Sequence, residues 1–423
     1  MKKLAVITAM ALAAASAFAE LYPSSRYFEV GVDATVQVDQ NTLSAGDILV
    51  ENLVIDFSKY AQSMGEDGFV MNLAFSPKAF VNLNTPLFSA GVFTDVKTSA
   101  RVSTGKGLFE FLGYGNTSDT FGTTMSTQME SFVEVGAPVK FSFGSLKLRV
   151  TPTYYVPIVY VPRTEVPLSV TMDDEHLFTA KTSANIDIYS LIDIVGLMFD
   201  ENMAFLGPDA LTESMQSPEV QDKIASSGGF TLGLGAELPL FHTLDVGAYA
   251  DVPIIPGHLK YKSSVTAEFA AEMAPLLDTM SSGGSTEVTT DYSAKFNGTT
   301  ASDYSVCTPL RVGLEAAWRP FGKWLTFRPK FALAARNPFG EDFDPKYSMF
   351  PEYSLSAEMR LLYILGLDFC TSYINQVYSQ QFGLALNLRI AELDVKVATS
   401  GADFAKTWSL TGAQVMAGVR VGF

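Results

Sequence analysis

Apolar and polar residues alternate along much of this chain. A period of two over about ten residues indicates a β-strand with one apolar and one polar face. A buried strand of a soluble sandwich gives the same pattern, but a tilted strand that crosses a hydrocarbon core also needs this length. One such segment does not distinguish the two folds, but the repetition of the pattern along the chain favours a membrane-spanning barrel. Clear examples are residues 28–39, 230–238, 325–336, 352–363, 381–390 and 414–423.

Very short connections separate the predicted strands on one side. They fall at residues 84–85, 144–145, 241–242, 322–323, 364–366 and 391–392. Longer connections rich in Gly, Ser, Thr and Asp lie between them, and this asymmetry is typical of outer-membrane barrels. With a first strand over about 26–39 and a last over about 408–423, the count reaches fourteen. The sequence thus predicts an all-β, transmembrane, antiparallel up-and-down barrel with both termini on the periplasmic side.

The N-terminus has the three parts of a secretory signal peptide. Lys2 and Lys3 precede an apolar run over residues 4–15, and Ala17-Phe18-Ala19 gives the small-x-small cleavage pattern. The run is too short to span a bilayer as a helix, which needs roughly 20 residues. We expect a signal peptide at 1–19, cleavage after Ala19 and a mature barrel at 20–423 in the bacterial outer membrane.

The last predicted strand carries a second signal. Val415, Ala417, Val419, Val421 and Phe423 form its outward apolar face. A terminal aromatic residue on such a strand resembles the C-terminal signature of bacterial outer-membrane barrels. That resemblance implies the barrel-assembly machinery as a partner, through the strand that ends in Phe423, alongside outer-membrane lipid.

Four insertions interrupt the strands, all on the extracellular side by the turn count. Residues 43–64 are predicted to be helical, and residues 104–121 form a Gly-rich loop with one short apolar turn. Residues 257–302 are predicted to contain an Ala/Met-rich helix over about 266–280, followed by a Ser/Gly/Thr tract. Loops this long in a compact domain are usually functional or disordered.

The largest insertion, residues 162–228, contains a predicted hairpin (about 166–188), an apolar run and a polar helix ending near Ser226. Exposed apolar patches are rare, so the run must pack or bind something. Three interpretations stay open: a self-packed cap over the barrel, a landing site for an apolar ligand, or a protein-contact surface. The candidate ligand-binding residues are Leu191, Ile194, Val195, Leu197, Met198 and Phe199.

Fourteen strands, roughly 400 mature residues and apolar helical loops at the mouth resemble the FadL-type long-chain fatty-acid transporter family of outer-membrane barrels. The segment DILVENLVIDFSKY also resembles spirochaetal members placed near that family. The resemblance implies that hydrophobic compounds pass through a lumen blocked by an N-terminal plug and leave sideways through a strand kink. Only residues 20–25 precede the first strand, so any plug must come from 43–64.

Charged residues alternate with the apolar positions that would face lipid. Charges in lipid are costly, so these residues should line the lumen as cross-strand ladders. The alternative is that some arginines, Arg328 and Arg360 in particular, hold a ligand carboxylate by bidentate hydrogen bonds. The set is Lys140, Lys147, Arg149, Arg311, Arg319, Arg328, Lys330, Arg360, Arg389 and Arg420, with Glu130, Glu134, Glu237, Asp245, Asp251, Glu315, Glu352 and Glu358.

Composition and motifs argue against several other kinds of function. With 29 basic and 45 acidic residues the net charge is −16, which argues against nucleic acid as a partner. Cys307 and Cys370 lie three predicted strands apart and are expected as free thiols. Asp173-Asp174-Glu175-His176 suits a calcium ion but is more typical of a solvated hairpin tip. No hydrolase or phosphate-loop motif occurs, and we expect no enzyme activity, cofactor or metal.

These patterns favour a monomeric barrel for passive uptake of small hydrophobic compounds such as long-chain fatty acids. Two alternatives remain. The chain fits a non-transporting, surface-exposed adhesin or scaffold, whose loops would be polar and outward. It also fits a general diffusion porin, whose bore would be wide and water-filled.

Overall fold

The computed structural model describes residues 26–42, 57–64, 68–114, 120–172, 178–201, 203–207, 209–215, 217–273, 288–361, 364–374, 377–388, 390–401, 404, 406–409 and 412–423. The predicted signal peptide at 1–19 and the acidic tip at 173–176 lie outside these residues.

Alternating residues form the strands, as the pattern predicts. In chain order they are β1 (Phe28–Gln40), β2 (Phe69–Asn84), β3 (Phe88–Thr104), β4 (Thr120–Gly136), β5 (Val139–Phe143), β6 (Leu146–Met172), β7 (Phe178–Ser190), β8 (Gly229–Phe241), β9 (Leu244–Ile255), β10 (Gly257–Met273), β11 (Val288–Val306), β12 (Leu310–Trp318), β13 (Leu325–Ala335), β14 (Met349–Leu361), β15 (Leu365–Ile374), β16 (Val377–Asn387), β17 (Ala391–Gly401) and β18 (Gly412–Gly422).

Short helices occupy the connections. They are α1 (Phe57–Ser63), α2 (Lys106–Tyr114), α3 (Ile194–Met198), α4 (Asp209–Met215), α5 (Pro218–Ser226) and α6 (Pro345–Ser348), with 3₁₀ turns at Gly322–Trp324 and Lys406–Ser409. Among the described residues no helix is long and apolar enough to cross a membrane.

The strands close into an antiparallel barrel of 14 wall strands, confirming the predicted number. β4 and β5 together form one wall strand, because both pair with β3 on one side and β6 on the other. β18 pairs with β1 from Glu29/Gly422 to Val38/Ala413, which closes the wall. Short connections occur at all six predicted places, but the last two begin earlier than predicted, because β15 already begins at Leu365 and β17 at Ala391.

The two faces of the wall differ as predicted. Large apolar side chains such as Val32, Leu314 and Phe382 are exposed on the outside. Glu29 and Asp33, on the other face of β1, are buried in the interior. Aromatic residues collect near the short turns; in transmembrane barrels such aromatic residues mark the lipid interface. They include Phe143, Phe241, Trp318, Phe321 and Trp324.

An extension formed by β6, β7, β10 and β11, with the start of β4 paired to β6, continues the wall on the side of the long loops. The lower half of β6 pairs with β8, whereas its upper half pairs with β7, which then pairs with β10 and through it with β11. The described parts of these upper strands carry no large apolar side chain on the exposed surface. The extension therefore lies beyond the lipid-facing belt.

The helix predicted over about 266–280 is wrong for its described part. β10 continues as a strand to Met273, with β7 on one side and β11 on the other. Ala and Met are good helix formers, but helix propensity amounts to less than about 1 kcal/mol per residue, and pairing with two neighbouring strands overrides it. The helix predicted at 43–64 is confirmed for α1, which packs against α2; residues 43–56 lie outside the described residues.

Candidate functional site

An apolar cluster fills part of the extracellular mouth. Leu191, Ile192 and Val195 of the predicted run are at most 4% exposed. Leu191 and Ile192 pack in a cluster with aromatic residues from the wall and the extension, and Ile194 packs against it. The rings of Tyr189 and Tyr304 stack with centroids 3.9 Å apart. The other buried members are Phe132, Tyr155, Val156, Tyr160, Val220, Leu259 and Val306.

The run therefore packs on itself and on the wall, as the cap interpretation predicts. Leu197, Met198 and Phe199 remain only half-buried. Asp193 starts the helix α3: its carboxylate accepts a hydrogen bond from the Gly196 amide (3.0 Å) and one from Thr299 Oγ1 of β11 (2.7 Å). These contacts tie the run to the extension.

Two exposed apolar residues extend this cluster to the surface. Phe205 and Leu206 are 61% and 62% exposed. The ring of Phe205 lies 5.8 Å from that of Phe199, and the Leu206 amide donates to the Met198 carbonyl (2.8 Å). Sequence reasoning missed this pair, because two apolar residues in an irregular loop produce no periodic signal.

A cavity of about 340 Å³ lies beside the cluster, inside the mouth. Wall strands β1 to β4 and β6 border it on one side, and the loop between β13 and β14 borders it on the other. Tyr160 belongs to both features, since it packs in the apolar cluster and lines the cavity. The surface patch, the cluster and the cavity are thus contiguous.

The loop between β13 and β14 is held inward by polar contacts. Asp342 accepts hydrogen bonds from the Tyr160 hydroxyl and from Asn337 Nδ2, the latter at 2.7 Å. Asn337 is buried and also accepts the backbone amide of Cys307 (2.8 Å). Cys307 and Cys370 are both buried and unbridged.

The two arginines proposed from the sequence lie outside this cavity. Arg328 Nε donates to Glu358 Oε1 at 2.7 Å, and Glu358 is almost fully buried. Arg360 lies on β14 two residues beyond Glu358, on the same face. The arginines that line the cavity are Arg101, Arg163 and Arg336. Arg101 lies between the apolar residues Ala100 and Val102, so the same alternation pattern could have identified it as a lumen residue, but it was not among the predicted residues.

Most predicted lumen charges form cross-strand ion pairs. Four pairs join neighbouring wall strands and confirm the ladder interpretation, with N–O distances of 2.7 to 3.6 Å: Lys147–Glu237, Arg319–Asp245, Arg328–Glu358 and Lys330–Glu315. Arg311–Glu352 spans the intervening strand β13, and Arg336–Glu130 joins the loop after β13 to β4.

The wall pairing is interrupted between β12 and β13. These strands pair at Glu315/Lys330 and again at Trp318/Phe327, with no pairs between. Pro329 lies in this gap, and a proline has no N–H to donate to a ladder. Pro77 accompanies a similar gap between β2 and β3.

Two depressions meet at Lys330, which borders the β12–β13 gap. On the lipid side is an apolar groove of about 540 Å³, bordered by Ala316, Pro329 and Lys330 among others. On the lumen side is a cavity of about 170 Å³, which Lys330 also borders. Lys330 therefore lies between a lumenal space and a lipid-facing groove.

A closed antiparallel wall, an apolar outer belt and a charged interior define a transmembrane β-barrel of the outer-membrane type. No family model matches the chain, and no curated protein matches it.

Solved structures similar to the chain include FadL-type transporters. The P. putida toluene transporter TodX is 10% identical with a TM-score of 0.43, covering 95% of this chain and 91% of that one. A Pseudomonas aeruginosa FadL homologue is 9% identical with a TM-score of 0.43, covering 94% and 91%. The translocator domain of the autotransporter NalP from Neisseria meningitidis is 8% identical with a TM-score of 0.34, covering 95% and 91%. Similarity at this level assigns no substrate.

Proposed function

We propose that this barrel takes up small hydrophobic compounds passively, admitting them at the apolar mouth and releasing them sideways into the membrane between β12 and β13. Long-chain fatty acids are one member of this class. The barrel itself supplies the route, and the concentration gradient supplies the direction.

The gap between β12 and β13 carries the proposal. A polar solute that crosses a membrane stays in a water-filled bore, whereas a hydrophobic one gains free energy by leaving for lipid. At this gap the wall lacks two residue pairs, an apolar groove lies outside it, and a lumenal cavity lies inside it. The Lys330–Glu315 ion pair (3.6 Å) bridges the inner side with both side chains partly exposed, so its opening costs little.

The mouth supports the other end of the route. Phe205 and Leu206 offer apolar surface to the outside, Phe205 contacts the Phe199 ring, and the Leu206 amide donates to Met198 of α3. Leu197 and Met198 belong to the same helix as Ile194, which packs against the buried cluster. Ile194, Val195 and Leu191 then form the inner part of the proposed ligand contact. A compound that displaces part of this packing reaches the cavity at Tyr160.

A disulfide across the gap tests the exit. Ala316 and Pro329 lie opposite each other by register, so the Ala316→Cys/Pro329→Cys variant, built with Cys307→Ser and Cys370→Ser, brings two thiols within bridging range. In liposomes we expect oxidation to stop uptake of a fluorescent long-chain fatty acid, and a reductant to restore it to the slower rate that remains once Pro329 has been replaced. The matched control joins Val96→Cys to Pro77→Cys across the β2–β3 gap, where oxidation should leave uptake unchanged. Uptake that persists through an oxidised β12–β13 bridge would exclude this exit.

Charged substitutions test the entrance. Phe205→Asp and Leu206→Asp place carboxylates on exposed positions, so the fold should be retained while binding of the fluorescent fatty acid weakens about tenfold. Trp408→Asp is the control, because Trp408 is equally exposed in the loop on the opposite side of the barrel. If the folded wild-type barrel bound neither the fluorescent fatty acid nor a fluorescent fatty alcohol saturably, the adhesin or scaffold alternative would be favoured instead.

A further inference from the structure

The charges around the mouth cavity are unbalanced. Its lining contains five carboxylates against three guanidinium groups, with no lysine or histidine among the described lining residues. The carboxylates belong to Asp39, Glu130, Glu165, Asp342 and Asp344. A ligand with its own carboxylate would enter a site that already carries excess negative charge.

The guanidinium groups are already engaged. Arg336 Nε lies 3.6 Å from Glu130 Oε2, and its guanidinium lies over the Phe350 ring at 5.6 Å. Arg163 pairs with Glu165 at 3.2 Å and stacks over Tyr347 at 4.2 Å. Arg101 is not free either. A ligand carboxylate must therefore compete with an existing partner for each arginine, which reduces the gain expected from bidentate binding.

One acceptor in the lining has spare capacity. Glu130 Oε1 accepts the Ser99 hydroxyl at 3.0 Å, whereas Oε2 faces Arg336 Nε at 3.6 Å and accepts no hydrogen bond from the part of the chain that the structure describes. The ion pair with Arg336 leaves this buried oxygen without a hydrogen-bond donor, so a hydroxyl or ammonium group that reaches it gains free energy. A carboxylate gains nothing there.

We infer that the mouth cavity selects amphiphiles with an uncharged, hydrogen-bond-donating head group or a cationic one, and disfavours carboxylates. This inference rests on the proposed uptake of hydrophobic compounds and names the preferred subclass. The apolar part of such a ligand lies toward Tyr160 and the apolar cluster, and the head group lies at Glu130.

Three ligands of equal chain length test the selection: octanol, octylamine and octanoate. Their affinities for the full-length mature barrel, refolded in an uncharged detergent, are measured by displacement of a fluorescent fatty alcohol. We expect octanol and octylamine to bind at least about tenfold more tightly than octanoate.

Variants then locate the effect. Glu130→Gln and, separately, the half-exposed Glu165→Gln should weaken octylamine and strengthen octanoate while changing octanol little. Because Glu165 is half-exposed, its replacement leaves no buried atom unpaired and should not disturb folding. Glu134→Gln is the control: Glu134 lies on the same face of β4 but outside the cavity, where it pairs with Lys97, so the ranking should stay the same.

The outcomes separate the two proposals. Equal affinities for the three ligands, or tightest binding of octanoate, would overturn the head-group selection and leave hydrophobic uptake standing. Head-group selection is also overturned if both glutamate variants leave all three affinities unchanged. Binding of none of the ligands or of the probe would overturn the uptake proposal as well.

Discussion

Arg328 shows at the residue scale how charge is placed in this lumen. The residue faces inward because its neighbours face lipid, and its partner Glu358 comes from the adjacent strand β14. Only one of the two side chains is fully buried: Glu358 is 2% exposed and Arg328 25%. The arginine therefore compensates a buried carboxylate and has little capacity left for a ligand.

Removal of the Arg328 charge should lower the free energy of unfolding of the barrel. Arg328→Ala leaves the Glu358 charge buried and unpaired, which typically destabilises by about 3 kcal/mol. Urea unfolding of the refolded barrel in lipid measures the change. Lys147→Ala is the matched control, because the Lys147–Glu237 pair is exposed and should contribute less than about 1 kcal/mol. Similar losses in both variants would contradict this explanation.

The Asp187 carboxyl group should make the stability of the extension depend on pH. Burial raises the pKa of its carboxyl, but hydrogen bonds from Lys262 (2.8 Å) and Ser264 (2.6 Å) outweigh burial and hold the pKa below its ordinary value. An acid with a depressed pKa stabilises the fold above its unfolded pKa, about 3.9, and loses that contribution as the pH falls through the folded value.

Acid should therefore loosen the β7–β10 pairing. Hydrogen exchange of these amides, corrected for intrinsic rates, should speed up below about pH 4 in the wild type. Asp187→Asn removes the titrating group, so its exchange should be faster at neutral pH and nearly independent of pH. Equal pH profiles in the two proteins would show that the Asp187 contacts contribute nothing.

At the element scale, prolines in the strands decide where the wall is weak. Pro329 and Pro77 each accompany a gap in pairing with one neighbour, while pairing with the other neighbour continues through them. The sequence displays both prolines. It does not display which gap has cavities on both sides, because that depends on residues from several strands, such as Ala236 of β8 and Ala316 of β12.

Pro329→Val should strengthen the wall and slow the proposed exit. Valine supplies the missing N–H, and one added hydrogen bond contributes about 1 kcal/mol. Urea unfolding should show the gain in stability, and liposome uptake of the fluorescent fatty acid should fall severalfold. Pro77→Val should give a similar gain in stability with unchanged uptake. Faster uptake by the Pro329 variant would refute the proposed role of the gap.

At the scale of the whole molecule, closure by β1 and β18 satisfies the backbone. In lipid an open sheet edge leaves N–H and C=O groups unpaired, so a barrel must close. The junction ends with reciprocal hydrogen bonds between Phe28 and Phe423, each 3.1 Å, and their rings are 5.8 Å apart.

Removal of residues 412–423 should abolish the folded barrel, because β1 and β17 each lose the neighbouring strand β18 and become open sheet edges. The measurement is the mobility difference between unheated and boiled samples on an SDS gel, which should vanish. Phe423→Ala keeps the backbone bonds and loses only the ring contact, so its refolded form should retain the mobility difference. If the variant without β18 still showed this mobility difference, the barrel would not need β18 to close.

The sequence by itself determined the periodic part of this protein: the fourteen wall strands, their inward and outward faces and the approximate places of the short turns. These follow from local alternation and turn residues, which depend on near neighbours in the chain. Tertiary structure decided the rest. Residues 266–273 became strand because β7 and β11 pair with them, Arg328 was committed to Glu358 across the wall, and the apolar run at 191–199 was largely buried against aromatic residues from distant strands. Each outcome depends on contacts between segments far apart in sequence, and residue spacing does not encode which segments meet.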